Sequence, residues 1–141
     1  MRSQRIEGMI VIPAETLADM VAHAREEAPN EACGLLAGVE STVGRSFRLT
    51  NVDASPEHFS LDVREQFAAV KEMRAAGLEM LAVYHSHPVT PARMSVEDLR
   101  LAFTPGIAYV IVSLANPDQP VVKSFRIVDG SPIEEQVSIQ E

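Results

Sequence analysis

Apolar residues recur along this chain with two different periods, and the switches between them mark out its elements. Met9-Ile10-Val11-Ile12 is a short apolar run that predicts a strand, and Pro13 behind it suits the first turn of a helix. Leu17, Met20, Val21 and Ala24 then fall on one helical face, so a helix is expected to about Glu27, where Ala28-Pro29-Asn30 breaks it. Glu31 to Gly38 is a compact apolar run, expected as a buried strand that Glu31 opens. Gly34 and Gly38 leave room there for the close approach of another backbone. Phe47 to Asn51 predicts a further strand, followed by the polar loop Val52-Asp53-Ala54-Ser55-Pro56.

The second half alternates in the same way. A helix is expected to start near Asp62, with Val63, Phe67, Val70 and Met73 as its buried stripe and Gly77 at its end. Leu78 to Tyr84 predicts a central strand that runs into His85-Ser86-His87-Pro88. Ser95 to Phe103 predicts a short helix closed by Pro105-Gly106. Ile107 to Leu114, Val121 to Val128 and Ile133 to Ile139 are strand-like, separated by turns at Asn116-Pro117 and Asp129-Gly130. With no repeat and no linker, residues 1–141 are expected to form a single α/β domain, a mixed sheet with helices packed on it.

Composition narrows the possible functions. At 141 residues, 46% hydrophobic and 23% charged, the chain has the make-up of a globular domain. Its 12 Lys and Arg against 20 Asp and Glu give a net charge of -8 with no basic cluster, which argues against nucleic acid as a partner. No apolar run approaches the roughly 20 residues of a membrane span, and MRSQRIEGMIVIPAE lacks a signal peptide's apolar stretch. The lone cysteine, Cys33, excludes an intrachain disulfide and a multi-cysteine zinc site, and points to a reducing compartment. A soluble cytoplasmic protein is the expectation. The apolar strand and helix surfaces suit either the core or a homodimer contact.

The candidate chemistry lies around Tyr84-His85-Ser86-His87-Pro88. On an extended segment His85 and His87 point to one face, with Cα atoms roughly 6.5–7 Å apart, so both imidazoles can lean onto one ion. Pro88 should end the strand there and place the pair at a sheet edge. The ten residues from Pro88 to Glu97, a loop leading into a helix, separate His87 from Asp98, which can fold back over the two histidines. Two histidines and a carboxylate are the ligand count of a catalytic zinc site that keeps one position open. Ser95 and Asp98 also read as a helix N-cap with an acid three residues on, a role compatible with metal binding. A metal hydrolase needs a base as well. Glu31 stands out among many carboxylates because it sits beside an apolar run, where burial raises its pKa and a nearby metal opposes the rise. Cys33, two residues on, would face the same side of an alternating strand, but reads as a buried apolar residue.

Glu31, His85-Ser86-His87, Ser95 and Asp98 together resemble the signature of the JAMM/MPN+ (Mov34/MPN/PAD-1) metalloproteases. The resemblance extends through Glu31–Gly38, Asn51–Pro56 and Arg126–Gly130, and is strongest to the small bacterial members, one of which releases cysteine from a ubiquitin-like sulfur-carrier protein. It implies a zinc ion held by His85, His87 and Asp98, with Glu31 as general base and later proton donor to the leaving amine. It implies that Ser95 helps hold the tetrahedral intermediate. The implied fold is a curved mixed sheet flanked by helices, like that of cytidine deaminases. The implied substrate is a ubiquitin-like sulfur carrier ending in Gly-Gly, its extended tail paired along an exposed strand edge. Met94 departs from the pattern, standing where many members carry proline. Two rivals remain: a metal-free scaffold use of the same fold, and a non-haem iron oxygenase with a two-His-one-carboxylate site. The first predicts a damaged motif, and the motif is intact. The second usually lives on an all-β barrel, whereas this chain alternates helices and strands.

Overall fold

The computed structural model describes residues 8–102 and 104–141. The extreme N-terminus and Phe103, the expected last residue of the third helix, lie outside that range. Strand β1 (Met9–Pro13) feeds directly into helix α1 (Ala14–Glu27), which is followed by the hairpin β2 (Cys33–Val39) and β3 (Thr42–Leu49). Helix α2 (Val63–Ala75), strand β4 (Glu79–His87) and the short helix α3 (Val96–Leu101) come next. The chain ends in β5 (Ala108–Ser113), β6 (Val121–Val128) and β7 (Ser131–Gln140).

The sheet is mixed as expected, but it is not a curved sheet merely flanked by helices: it closes on itself in the order β1-β3-β2-β4-β5-β6-β7. Closure comes from the ends of the chain. β1 runs parallel to β7 over five registered pairs, Met9–Gln136 to Pro13–Gln140. On its other side β1 meets β3 at Val11–Thr42, where the Val11 N–H donates to the Ser41 carbonyl at 2.8 Å. Hydrophobic period shows where strands are and not which strands pair, so closure was invisible to it. β4 lies inside the sheet with β2 and β5 on its two sides, and therefore offers no free edge for a substrate strand to join.

Residues alternate between two buried faces. Ile10, Ile12, Leu36, Ala82, Tyr84 and Val110 gather on the face covered by Leu17, Met20, Val21 and Ala24 of α1, as the helical spacing predicts. Arg48 of β3 pins this helix from the side, bonding Asp19 at 2.7 Å and also Glu26. Cys33, Leu35, Phe47, Leu49 and Val83 point to the opposite face, under Ala69 and Met73 of α2. Gly34 is required by this packing. A Cβ there would lie 2.3 Å from the Tyr84 ring, whose hydroxyl is bonded to buried His23 Nδ1 at 2.7 Å.

Helix α2 corrects a second expectation. Its ends are where the sequence puts them: Asp62 caps the Glu65 N–H, and Gly77 adopts φ +74 with Leu78 N–H bonded to the Met73 carbonyl. The buried face is rotated, however. Met73 packs inward and Val70 is partly buried against the same cluster, as expected, but Ala69 joins them while Val63 and Phe67 are 63% and 73% exposed. Small Ala69 lets the helix approach the sheet closely, and that contact sets the rotation instead of the bulkier residues one turn away.

Candidate metal centre

β4 carries the two histidines to the end of an interior strand. The strand runs through His87, further than Tyr84, and Pro88 stops it. The pair therefore lies at a strand end and not at the sheet edge that the sequence suggested. His85 pairs with Cys33 on one side and Ile111 on the other, so the backbone is fixed from both directions. Period two puts Val83, His85 and His87 on the α2 face, and both imidazoles are buried. The His85 ring stacks on Phe59 with centroids 4.6 Å apart. His87 Nδ1–H donates to the Pro91 carbonyl at 2.8 Å, which turns its Nε2 toward His85 and Asp98.

Asp98 is delivered by a capping box. Ser95 N–H donates to Asp98 Oδ2 at 3.0 Å, and Asp98 N–H donates to Ser95 Oγ at 3.0 Å. The loop before it is anchored: Ser113 Oγ–H donates to the Thr90 carbonyl at 2.6 Å, and Ala92 packs against Ile111 and Phe125. Ser95 Oγ is an acceptor in this box, which leaves its hydroxyl proton for another acceptor. His85 Nε2, His87 Nε2 and the Asp98 carboxylate converge, with separations of 3.2 Å between the two nitrogens, 3.1 Å from His85 to Oδ1 and 3.0 Å from His87 to Oδ2.

Glu31 does not open β2, which starts at Cys33; it sits just before the strand, in the segment after the Ala28-Pro29 turn. Its backbone is held from three directions. Its N–H donates to the Ser55 carbonyl at 2.8 Å, its carbonyl accepts from Asn51 Nδ2 at 3.1 Å, and the next residue's N–H donates to Ser86 Oγ at 2.8 Å. Asn51 also bonds His58, Asp53 and Ser60, so it ties the whole 51–60 loop to the site. Sequence reasoning gave Ser86, Asn51 and Phe59 no role. The available signals were the position of Ser86 between the histidines and of Asn51 at the head of the Asn51–Pro56 stretch.

The site is electrostatically unbalanced in itself. Burial pushes the Glu31 carboxyl up to about 8, opposed by His87 and reinforced by Asp98, and its Oε1 is buried with no hydrogen-bond partner. Burial also works to raise Asp98, but hydrogen bonds from His85 and His87 outweigh it and hold the carboxyl well below the usual carboxylate range. Burial lowers His85, whose Nδ1 likewise has no partner. For His87 burial is outweighed by Asp98 and the Pro91 carbonyl, and its pKa rises. Cys33, the cross-strand neighbour of His85, is buried with its thiol facing the Leu49 carbonyl and pushed up to about 12 by burial.

These residues fit a divalent metal ion. With His87 Nδ1–H committed to Pro91, a neutral His87 presents a lone pair to a carboxylate oxygen and to a second imidazole nitrogen. Such a cluster needs protons or a cation at its centre. An ion about 2.1 Å from each of three tetrahedral ligand atoms sets those atoms about 3.4 Å apart. The observed 3.0–3.2 Å cage is that arrangement drawn in by a few tenths of an ångström. Among the described residues this trio, with ligand atoms all within 4.8 Å, is the grouping of His, Cys, Asp and Glu side chains suited to a metal. Two clefts adjoin it, one through Phe59, which stacks on His85, and one through His87 itself. One of about 350 Å³ holds Phe59, Leu61, Gln66, Met80 and Tyr109 in a lining without charge. The other, of about 410 Å³, is lined by His87, Pro91, Arg93, Met94 and Ser95.

Comparison with known proteins agrees with the geometry. The profile of prokaryotic homologs of the JAB domain matches residues 13–128. The chain therefore belongs to the JAB/MPN (JAMM) family of hydrolytic metallopeptidases, as one of its prokaryotic members. It is 41% identical over 135 residues to the CysO-cysteine peptidase of Mycobacterium tuberculosis, covering 94% of this chain and 92% of that one. It is 34% identical over 109 residues to the desampylase of Haloferax volcanii, covering 72% and 78%. The solution structure of protein DSY2949 from Desulfitobacterium hafniense superposes with a TM-score of 0.88 at 51% identity, with 94% of each chain covered.

Proposed function

We propose that residues 1–141 act as one cytoplasmic zinc peptidase domain that hydrolyses the amide bond after the C-terminal Gly-Gly of a ubiquitin-like sulfur-carrier protein. The observation that carries this reading is the convergence of His85, His87 and Asp98 beside a buried carboxylate, Glu31, that has an unpartnered oxygen. Similarity to a CysO-cysteine peptidase over nearly the full length of both chains supports the substrate class, with cysteine or another C-terminal extension as the leaving group.

His85, His87 and Asp98 would hold the zinc through Nε2, Nε2 and a carboxylate oxygen. When bound, zinc supplies Lewis acidity that polarises the scissile carbonyl and lowers the pKa of a water to about 7. Glu31 takes the proton from the attacking water and passes it to the departing amine; burial suits it to hold a proton near neutral pH. The free hydroxyl proton of Ser95 donates to the oxygen of the tetrahedral intermediate. Since β4 has no free edge, the carrier tail lies in the uncharged cleft beside Phe59.

Mass spectrometry of sulfur-carrier proteins bearing C-terminal extensions tests this. Cleavage after Gly-Gly, lost with a chelator and restored by zinc, is the expected result. A zinc-loaded protein that leaves every carrier intact would refute the substrate, and a protein that binds no zinc would favour the scaffold reading.

A further inference from the structure

The cleft on the His87 side of the centre holds a cation that the proposed mechanism leaves unused. Arg93 lines it together with His87 and Ser95, in a chain whose net charge is -8. Arg45, Arg48, Arg100 and Lys123 each pair with a carboxylate; Arg93, like Arg25, Arg64, Lys71, Arg74 and Arg126, has no acid partner among the described residues, and of these it is the one that lines this cleft. Its backbone is well held. Arg93 N–H donates to the Pro91 carbonyl at 2.9 Å, Pro91 in turn orients His87, and neighbouring Ala92 is buried against β5 and β6. The guanidinium therefore springs from a segment whose position is tied to the metal ligands.

The two clefts differ in the way the two halves of a scissile bond differ. A Gly-Gly acyl segment is uncharged backbone, which matches the uncharged lining beside Phe59. The leaving half is charged in one case only. When the bond cut is the last of a chain, the leaving amine belongs to a residue with a free α-carboxylate, two bonds from the leaving nitrogen. When the bond is an isopeptide to a lysine side chain, no such anion lies near. A carboxylate two bonds from the reacting atom must sit in the same cavity as the metal, and Arg93 supplies there the planar two-pronged donor that carboxylates prefer.

Resting on the peptidase reading above, we propose that Arg93 determines specificity by binding the free α-carboxylate of the leaving residue, which makes this chain selective for release of a single C-terminal amino acid over cleavage of isopeptide conjugates. In the reaction the glycine C–N bond breaks, the carbonyl carbon takes the hydroxyl of a water, and the departing amino acid takes the proton. Its carboxylate stays paired with Arg93 throughout.

The test compares a sulfur-carrier protein ending Gly-Gly-Cys with the same protein ending in the cysteine amide, using the zinc-loaded enzyme and its Arg93→Met variant. A charge-assisted Arg–carboxylate pair should make kcat/KM for the acid about ten- to a hundredfold higher than for the amide, and Arg93→Met should bring that ratio to about one. Zinc content and melting temperature, measured in parallel, should not move, because Arg93 is exposed and is not a ligand. Cleavage after Gly-Gly with no preference for the acid, or a preference that survives Arg93→Met, overturns the role of Arg93 and leaves the peptidase reading standing. Cleavage of neither form overturns the substrate reading. Fluorescence anisotropy of the two carriers on Glu31→Gln protein then decides about Arg93: tighter binding of the acid that Arg93→Met removes supports it, and equal or absent binding sinks it.

Discussion

Replacing Glu31 with glutamine separates proton transfer from metal binding and from stability, because the structure makes a different statement about each. The side chain is 3% exposed, its Oε1 has no partner, and it is not one of the three convergent ligands. Gln is nearly isosteric, so zinc stoichiometry should stay at the wild-type value. The variant cannot carry the proton, so kcat should fall by about a hundred- to ten-thousandfold. Stability of the metal-free protein should move the other way. Burial raises the Glu31 pKa from 4.5 to about 8, so between those values the folded state keeps a proton that the unfolded state has released. Stability is then full below about pH 4.5 and falls as pH rises towards 8. At pH 7 the loss amounts to about 3 kcal/mol, taking about 1.4 kcal/mol per pH unit across that interval. Metal-free Glu31→Gln protein lacks this loss. It should be more stable than metal-free wild type at pH 7, with the gap closing by pH 4. Urea denaturation at the two pH values reads the effect, and metal analysis with a carrier-cleavage assay reads the rest. Retained turnover, or loss of zinc, would refute the assignment of Glu31 as base. A stability gap that does not change with pH would refute the burial argument.

Other parts of the structure give further expectations. His87→Ala removes one ligand and the contact that orients the Pro91 loop, so bound zinc should drop to near zero per chain and activity with it; elemental analysis showing full zinc would overturn the ligand set. Gly34→Ala drives a Cβ to 2.3 Å from the Tyr84 ring and 2.4 Å from the Phe47 carbonyl, and should cost about 2–4 kcal/mol in chemical denaturation. Phe67→Ser, on the face of α2 turned to solvent, should change stability by less than about 0.5 kcal/mol. A loss of several kcal/mol would mean that Phe67 is buried after all.

Much of the site was legible in the sequence because it is built from short-range rules. His85 and His87 share a face by the two-residue period of a strand, Pro88 stops that strand, and Ser95 with Asp98 forms a capping box recognisable from its spacing. Asp62 and Gly77 also occupy the positions their local chemistry requires, while Gly34 answers to the distant Tyr84 ring and Phe47 carbonyl. The tertiary structure decided whatever depended on two distant segments meeting. Glu31 reaches the centre because residues 51, 55 and 86 hold its segment there, and a sequence of many carboxylates does not record such contacts. The closure of the sheet by β1 and β7, and the rotation of α2 that buries Ala69 and exposes Phe67, have the same origin. Period and propensity fix how an element is built, whereas packing against the rest of the chain fixes which neighbour it meets and which side it turns inward.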